Sequence, residues 1–185
     1  MNNLIELLKK PKEFVSKCQY WLDKLGFDQE YDYDRYINEE LGELINNHQE
    51  GNHDNNRALL VDDIVDSMWV VLAKSMYVSL DLIVCDNFPY YSDDNYIYHI
   101  KYYVNSVDSY SSSNLSSIFR QLIFLAQLNN IDWQAAFAAL AEENMSKLNF
   151  DEELAAEVFR TGKLNKKDPE GNLYPWYRPA DFSKF

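Results

Sequence analysis

Residues 34–72, DRYINEELGELINNHQEGNHDNNRALLVDDIVDSMWVVL, hold two apolar series at helical spacing, separated by a stretch that breaks the pattern. In the first series Ile37, Leu41, Leu44 and Ile45 recur every three to four residues, Asp34 is placed to cap the start, and Gly51 ends the run. GNHDNN (51–56) reads as a loop by composition. Leu60, Ile64, Met68, Val71 and Leu72 then restart the period, so the spacing predicts helices over 34–50 and 57–82. A connector this short favours an antiparallel pair.

Both helices carry acids on a narrow stripe. Leu59, Asp63, Asp66 and Val70 fall at i, i+4, i+7 and i+11, and Tyr36, Glu40, Glu43 and Asn47 repeat those steps. Each stripe adjoins the apolar arc, so antiparallel packing brings Glu40, Glu43, Asp63 and Asp66 together at the edge of a bundle. Such acids repel and resist burial unless a cation lies among them. Oxygen-only ligands favour Mg²⁺, with Mn²⁺ as a substitute, and Mg²⁺ commonly completes its shell with water and substrate phosphate. Metals so held polarise a phosphoryl oxygen and activate water for in-line attack. The bland reading is that helix acids face water, which is the usual fate of a lone ExxE. In that case Asp62 with Asp66, and Glu39 with Glu43, are merely repulsive i,i+4 pairs.

Outward from this pair, residues 11–25 read as a helix opened by Pro11 at its first turn, with Phe14, Val15, Cys18, Trp21, Leu22 and Leu25 on one face and Gly26 as the stop. The Tyr-rich segment 85–113 mixes Pro89, serines and tyrosines without a clear period and reads as an insertion. Helical spacing returns in 114–128, with Asn114 as a cap, in 132–148, capped by Asp132, and from Asp151 to about Arg160. From about 161 the chain is an irregular tail. The expected fold is an all-α helical bundle forming a single domain over 1–185.

With 185 residues, nearly half of them apolar, the chain has the makings of one ordinary core. A net charge of −13 argues against binding a nucleic-acid polymer, although a free nucleotide held through metal remains compatible. Most of the 30 carboxylates are read as solvated surface. Cys18 and Cys85 form no metal- or redox-spaced pair. Neither a membrane span nor a secretory leader is evident, so a cytoplasmic setting is expected. Glu50 and His53 have the Glu-x-x-His spacing of di-iron bundles, but they fall in the loop; His48, His53 and His99 read as surface or helix-end residues. No zinc spacing, Gly-rich phosphate loop or nucleophile elbow occurs.

Glu40-Leu-Gly-Glu43, followed by Asp63-Ile-Val-Asp66 after a helix-loop-helix interval, resembles the paired ExxE and ExxD signature of the all-α NTP pyrophosphohydrolases, which include MazG-like enzymes, dimeric dUTPases and phosphoribosyl-ATP pyrophosphohydrolases. Residues 130–148, NIDWQAAFAALAEENMSKL, look like the family's later helix, and DPEGNLYPWYRPADF is similar to its tail. The resemblance runs from about Asp34 to Phe182 apart from the insertion. Asp63 departs from it in having a shorter arm than the usual Glu, and Asn172 and Tyr174 replace frequent lysines. It implies Mg²⁺ bound by Glu40, Glu43, Asp63 and Asp66, with Glu40 or Glu43 also orienting the attacking water. Asn144 and Lys147 would contact the nucleotide. The implied reaction converts a nucleoside triphosphate to a monophosphate and pyrophosphate, as in nucleotide-pool cleaning of deoxynucleotides, in a homodimer or a tetramer of paired dimers. The alternative is a catalytically silent helical binding or scaffold protein, with the Tyr-rich insertion as its contact surface. Tyr31, Tyr33 and Tyr36 could stack on a base, but packing is the commoner role for such residues.

Overall fold

The computed structural model describes residues 2–28, 30–75, 92–105, 110–149, 151–161, 166–167 and 170–185. Their regular structure is helical: α1 (Asn2–Lys24), α2 (Tyr33–Gln49), α3 (Arg57–Lys74), α4 (Asp93–Asn105), α5 (Ser112–Leu128), α6 (Trp133–Ser146) and α7 (Glu152–Thr161), with a short 3-10 turn at Phe182–Lys184. A lone antiparallel bridge links Lys167 and Leu173. The all-α expectation holds for these residues, and none of their helices is long and apolar enough to cross a membrane.

The centre of the bundle is α3, which buries residues from Leu60 to Ala73 on almost every side and packs against α1, α2, α5 and α6. A helix apolar all round must be enclosed, and the amphipathic helices around it supply the enclosure. Ile37, Leu41 and Leu44 of α2, Ile64 and Met68 of α3, Ile118 and Leu122 of α5, and Phe137 of α6 are fully or almost fully buried in a common core.

Three polar contacts fix how α2 lies on α3. Lys74 pairs with Asp34, the Ser67 hydroxyl donates to the Glu40 carbonyl at 3.4 Å, and the Asn47 amide donates to Asp63 at 2.8 Å. As α2 is followed forward from Asp34 to Asn47, its partners on α3 run backward from Lys74 to Asp63. The pair is therefore antiparallel, and Glu40 and Glu43 lie level with the Asp63–Ser67 turn.

Several sequence expectations are corrected. Helix α2 starts at Tyr33 because Asp32, not Asp34, accepts from the Arg35 N–H, which frees Asp34 for Lys74. Helix α1 begins at Asn2 and carries Pro11 in its interior, since Leu4, Leu7 and Leu8 extend the apolar face onto the core. Ser111 rather than Asn114 caps α5. Asp132 caps α6 as expected. The Tyr-rich segment 85–113, read as an insertion without a clear period, contains α4, where Tyr96, Ile97 and Ile100 are buried at helical steps beneath exposed tyrosines. Residues 76–91 and 106–109, including Cys85, Pro89 and the expected continuation of the second helix to 82, lie outside the described residues.

The irregular C-terminal stretch is docked. Tyr177 is buried, and Phe182 and Phe185 pack on the core. Arg57, at the start of α3, donates to the carbonyls of Phe185, Asn129 and Asn130 at 2.6, 2.8 and 2.9 Å.

Candidate metal centre

The antiparallel register sets the acids of α2 against those of α3. Glu40 is partly buried, and its carboxyl is pushed up to about 7, first by burial and then by Glu43, Asp62, Glu39 and Asp63. Asp66 is driven well above the carboxylate range by burial, then by Glu40 and Asp62, against a counterpull from Lys147. Asp62 rises to about 6 through burial, then Asp63 and Glu143, with Lys147 and Lys166 opposing. Glu40, Asp62 and Asp66 therefore lie within electrostatic reach of one another. Among the described residues, no hydrogen bond or ion pair reaches the side-chain oxygens of Glu40, Glu43, Asp62 or Asp66. Glu43, one turn along from Glu40, is exposed at the rim.

Asp63 differs from its neighbours. It is buried, and its Oδ2 accepts from both His53 Nε2 and Asn47 Nδ2 at 2.8 Å. The His53 side chain is 6% exposed, so this histidine is an inward-turned partner of Asp63, contrary to its reading as a surface residue. The loop makes this possible: Gly51 takes a left-handed φ of 72°, the Asn52 N–H returns to the Asn47 carbonyl, and the chain turns back toward α3. His48 bonds Asp94 at 2.8 Å with its ring partly exposed, nearer the helix-end role expected of it.

Helix α6 contributes Asn144, and Lys147 caps its C-terminal end. Lys147 Nζ donates to Asn144 Oδ1 at 2.6 Å and lies 3.0 Å from Glu143 Oε1. Sequence reasoning passed over Glu143, a buried carboxylate that also accepts from the Tyr177 hydroxyl at 2.9 Å and the Ala180 N–H at 2.8 Å; Lys166 lies 3.7 Å away. Burial pushes Glu143 upward as the largest single influence, but the Lys147 charge and the Ala180, Lys147 and Tyr177 hydrogen bonds outweigh it. They leave its carboxyl below the ordinary value. The available signal was Glu143 four residues before Lys147, a favourable helical ion-pair spacing. Asp62 was weighed only as a repulsive neighbour of Asp66, and the structure draws it into the cluster.

The donor set is all oxygen, and in it Glu40, Asp62 and Asp66 are desolvated and make no ion pair among the described residues, which suits a hard divalent cation. Among the described residues, no three His, Cys, Asp or Glu side chains are gathered closely enough to form a ready-made ion cage. A Mg²⁺ site completed by water and phosphate does not require one. Tyr31 stacks on Tyr36 at 5.0 Å, with Tyr33 edge-on to Tyr31, so these rings pack on one another. An open cavity of about 730 Å³ lies beside them, lined by Gln19, Tyr20, Asp23, Glu30, Tyr31 and Tyr33 among others. Comparison of the chain with protein-family models, with curated proteins and with solved structures finds no match.

Proposed function

We propose that the protein is a Mg²⁺-dependent, MazG-like nucleoside triphosphate pyrophosphohydrolase that cleaves a (d)NTP to the monophosphate and pyrophosphate in nucleotide-pool cleaning. The observation that carries this reading is the imbalance on the α2–α3 edge: Glu40, Asp62 and Asp66 are desolvated and mutually repelling, and among the described residues they make no ion pair, next to the cation Lys147.

Glu40, Glu43 and Asp66 would hold the metal, with Asp63 contributing its remaining oxygen. The bound cation would supply charge neutralisation at the phosphates and a more acidic water. Lys147, paired with Glu143 and Asn144, is within electrostatic reach of Asp66 and would meet phosphate charge from that position. Glu40, whose metal-free carboxyl sits near 7, suits the group that orients water and takes its proton. Hydrolysis then forms one bond from water oxygen to the α-phosphorus and breaks one from that phosphorus to the bridging oxygen; pyrophosphate leaves. A homodimer or a tetramer of paired dimers belongs to the same proposal.

The alternative of a silent helical binding protein draws on Tyr98 and Tyr102, one turn apart on α4 and both exposed. A panel of (d)NTPs with Mg²⁺ separates the two readings. Pyrophosphate is expected from at least one nucleotide, and Glu43→Gln and Asp66→Asn each reduce its release by more than about 100-fold while the helical signal is unchanged. No release from any nucleotide, together with no Mg²⁺-induced thermal shift, favours the binding protein; wild-type rates in either variant overturn the assignment of the metal residues.

A further inference from the structure

The loop between α2 and α3 reaches into the acid edge in a way the metal reading does not use. Asp63 Oδ2 accepts from two donors on different elements, His53 Nε2 on the loop and Asn47 Nδ2 on α2, each at 2.8 Å. The Asn47 amide is itself oriented, because its Oδ1 accepts from Asn52 Nδ2 at 3.0 Å, and Asn52 also bonds Glu50 at 3.0 Å. An ionised carboxylate only accepts, so His53 meets Asp63 with an N–H on Nε2. Nδ1 is buried and has no partner among the described residues. A buried nitrogen left unmatched is a cost, and the bond on the other side of the ring offsets it. Asp63 Oδ1 accepts nothing from the described residues.

We propose that His53 is a positioning residue: with Asn47 it pins Asp63 by Oδ2, fixes the carboxylate's rotamer and leaves Oδ1 as the single oxygen offered to a divalent cation. The inference rests on the metal reading above and adds the loop to it. It makes Asp63 a one-oxygen ligand, and it makes the 51–56 loop part of the centre although no loop residue touches the ion.

Calorimetric titration with Mn²⁺ alone, on the full chain, tests it. His53→Leu keeps bulk but removes the donor, and Mn²⁺ affinity is expected to fall about 10-fold; His53→Gln restores an N–H at the Nε2 position and stays within about 3-fold of wild type. Wild-type affinity in His53→Leu, or a His53→Gln as weak as His53→Leu, overturns the inference while leaving the metal site standing. A wild-type chain that takes up no Mn²⁺ overturns the metal reading and this inference together. Should His53→Leu fail to fold, imidazole ¹⁵N spectra of the wild type decide: Mg²⁺ is expected to move the His53 signals while leaving those of His99 in place, and His53 signals unmoved at saturating Mg²⁺ overturn the proposal.

Discussion

Two groups of carboxylates lie side by side in this protein and face opposite electrostatic circumstances. Glu143, on α6, is buried and saturated: Lys147, the Tyr177 hydroxyl and the Ala180 N–H converge on it, and its carboxyl is held below the ordinary range. Glu40 and Asp66, on the α2–α3 edge, are desolvated and accept from no donor among the described residues, and their carboxyls are raised. Burial acts in the same direction on all three, so the partners make the difference. A saturated carboxylate is a finished structural element that clasps the C-terminal stretch to α6. An unsaturated cluster is a cost the fold carries, as functional sites commonly do.

The largest expected effect is a divergence in stability. Glu143→Ala strands the Lys147 charge, the Tyr177 hydroxyl and the Ala180 N–H, and urea denaturation of the metal-free chain should show a loss of about 3 kcal/mol. Asp66→Asn removes instead the cost of a buried carboxyl held above its ordinary range, and at pH 8 without metal it should gain about 1 kcal/mol. If both substitutions destabilise equally, the contrast between the two groups is not real.

The pH dependence sharpens the same contrast. Glu40 ionises near its ordinary value when unfolded but at about 7 when folded, and Asp66 is raised as well, so between those values the folded chain binds more protons. Stability contributed by these groups is full at low pH and is lost as pH rises through the folded value. Glu143 runs the other way: its contribution is present above its unfolded value and is lost as pH falls through its lowered folded value. In EDTA, the melting temperature should therefore fall between about pH 5 and pH 8, and added Mg²⁺ should raise it more at pH 8 than at pH 5. Melting scans over that range check both signs; a Mg²⁺ effect larger at pH 5 contradicts the account.

Helix α2 and the described length of α3 were legible in the sequence because their signal is local. Apolar residues at Ile37, Leu41, Leu44, Ile64 and Met68 demand one buried face, and the short loop forces the antiparallel return. The caps were less legible: Asp32 and Asp34 are equally good acceptors in sequence, and Lys74, forty residues away, decides between them. Tyrosine hid α4, since Tyr98 and Tyr102 are large and exposed while Tyr96 is fully buried, and hydropathy does not separate them. His53 and Glu143 escaped for another reason. Each acts through tertiary partners, Asp63 in one case and Tyr177 and Ala180 in the other, that no periodicity brings together.

The smallest expected effect concerns Lys166, which lies 3.7 Å from Glu143 with its side chain about half exposed. An ion pair this long and solvated contributes little, so Lys166→Ala should change stability by less than about 0.5 kcal/mol in urea denaturation. Glu143 is already satisfied by Lys147, Tyr177 and Ala180 at 3.0 Å or less, and losing a fourth, weaker partner leaves no buried charge stranded. A loss approaching that of Glu143→Ala would mean that the carboxylate depends on its most exposed neighbour. Glu143 would then be as under-compensated as Glu40 and Asp66, and the distinction between a finished clasp and an uncompensated acid edge would fail.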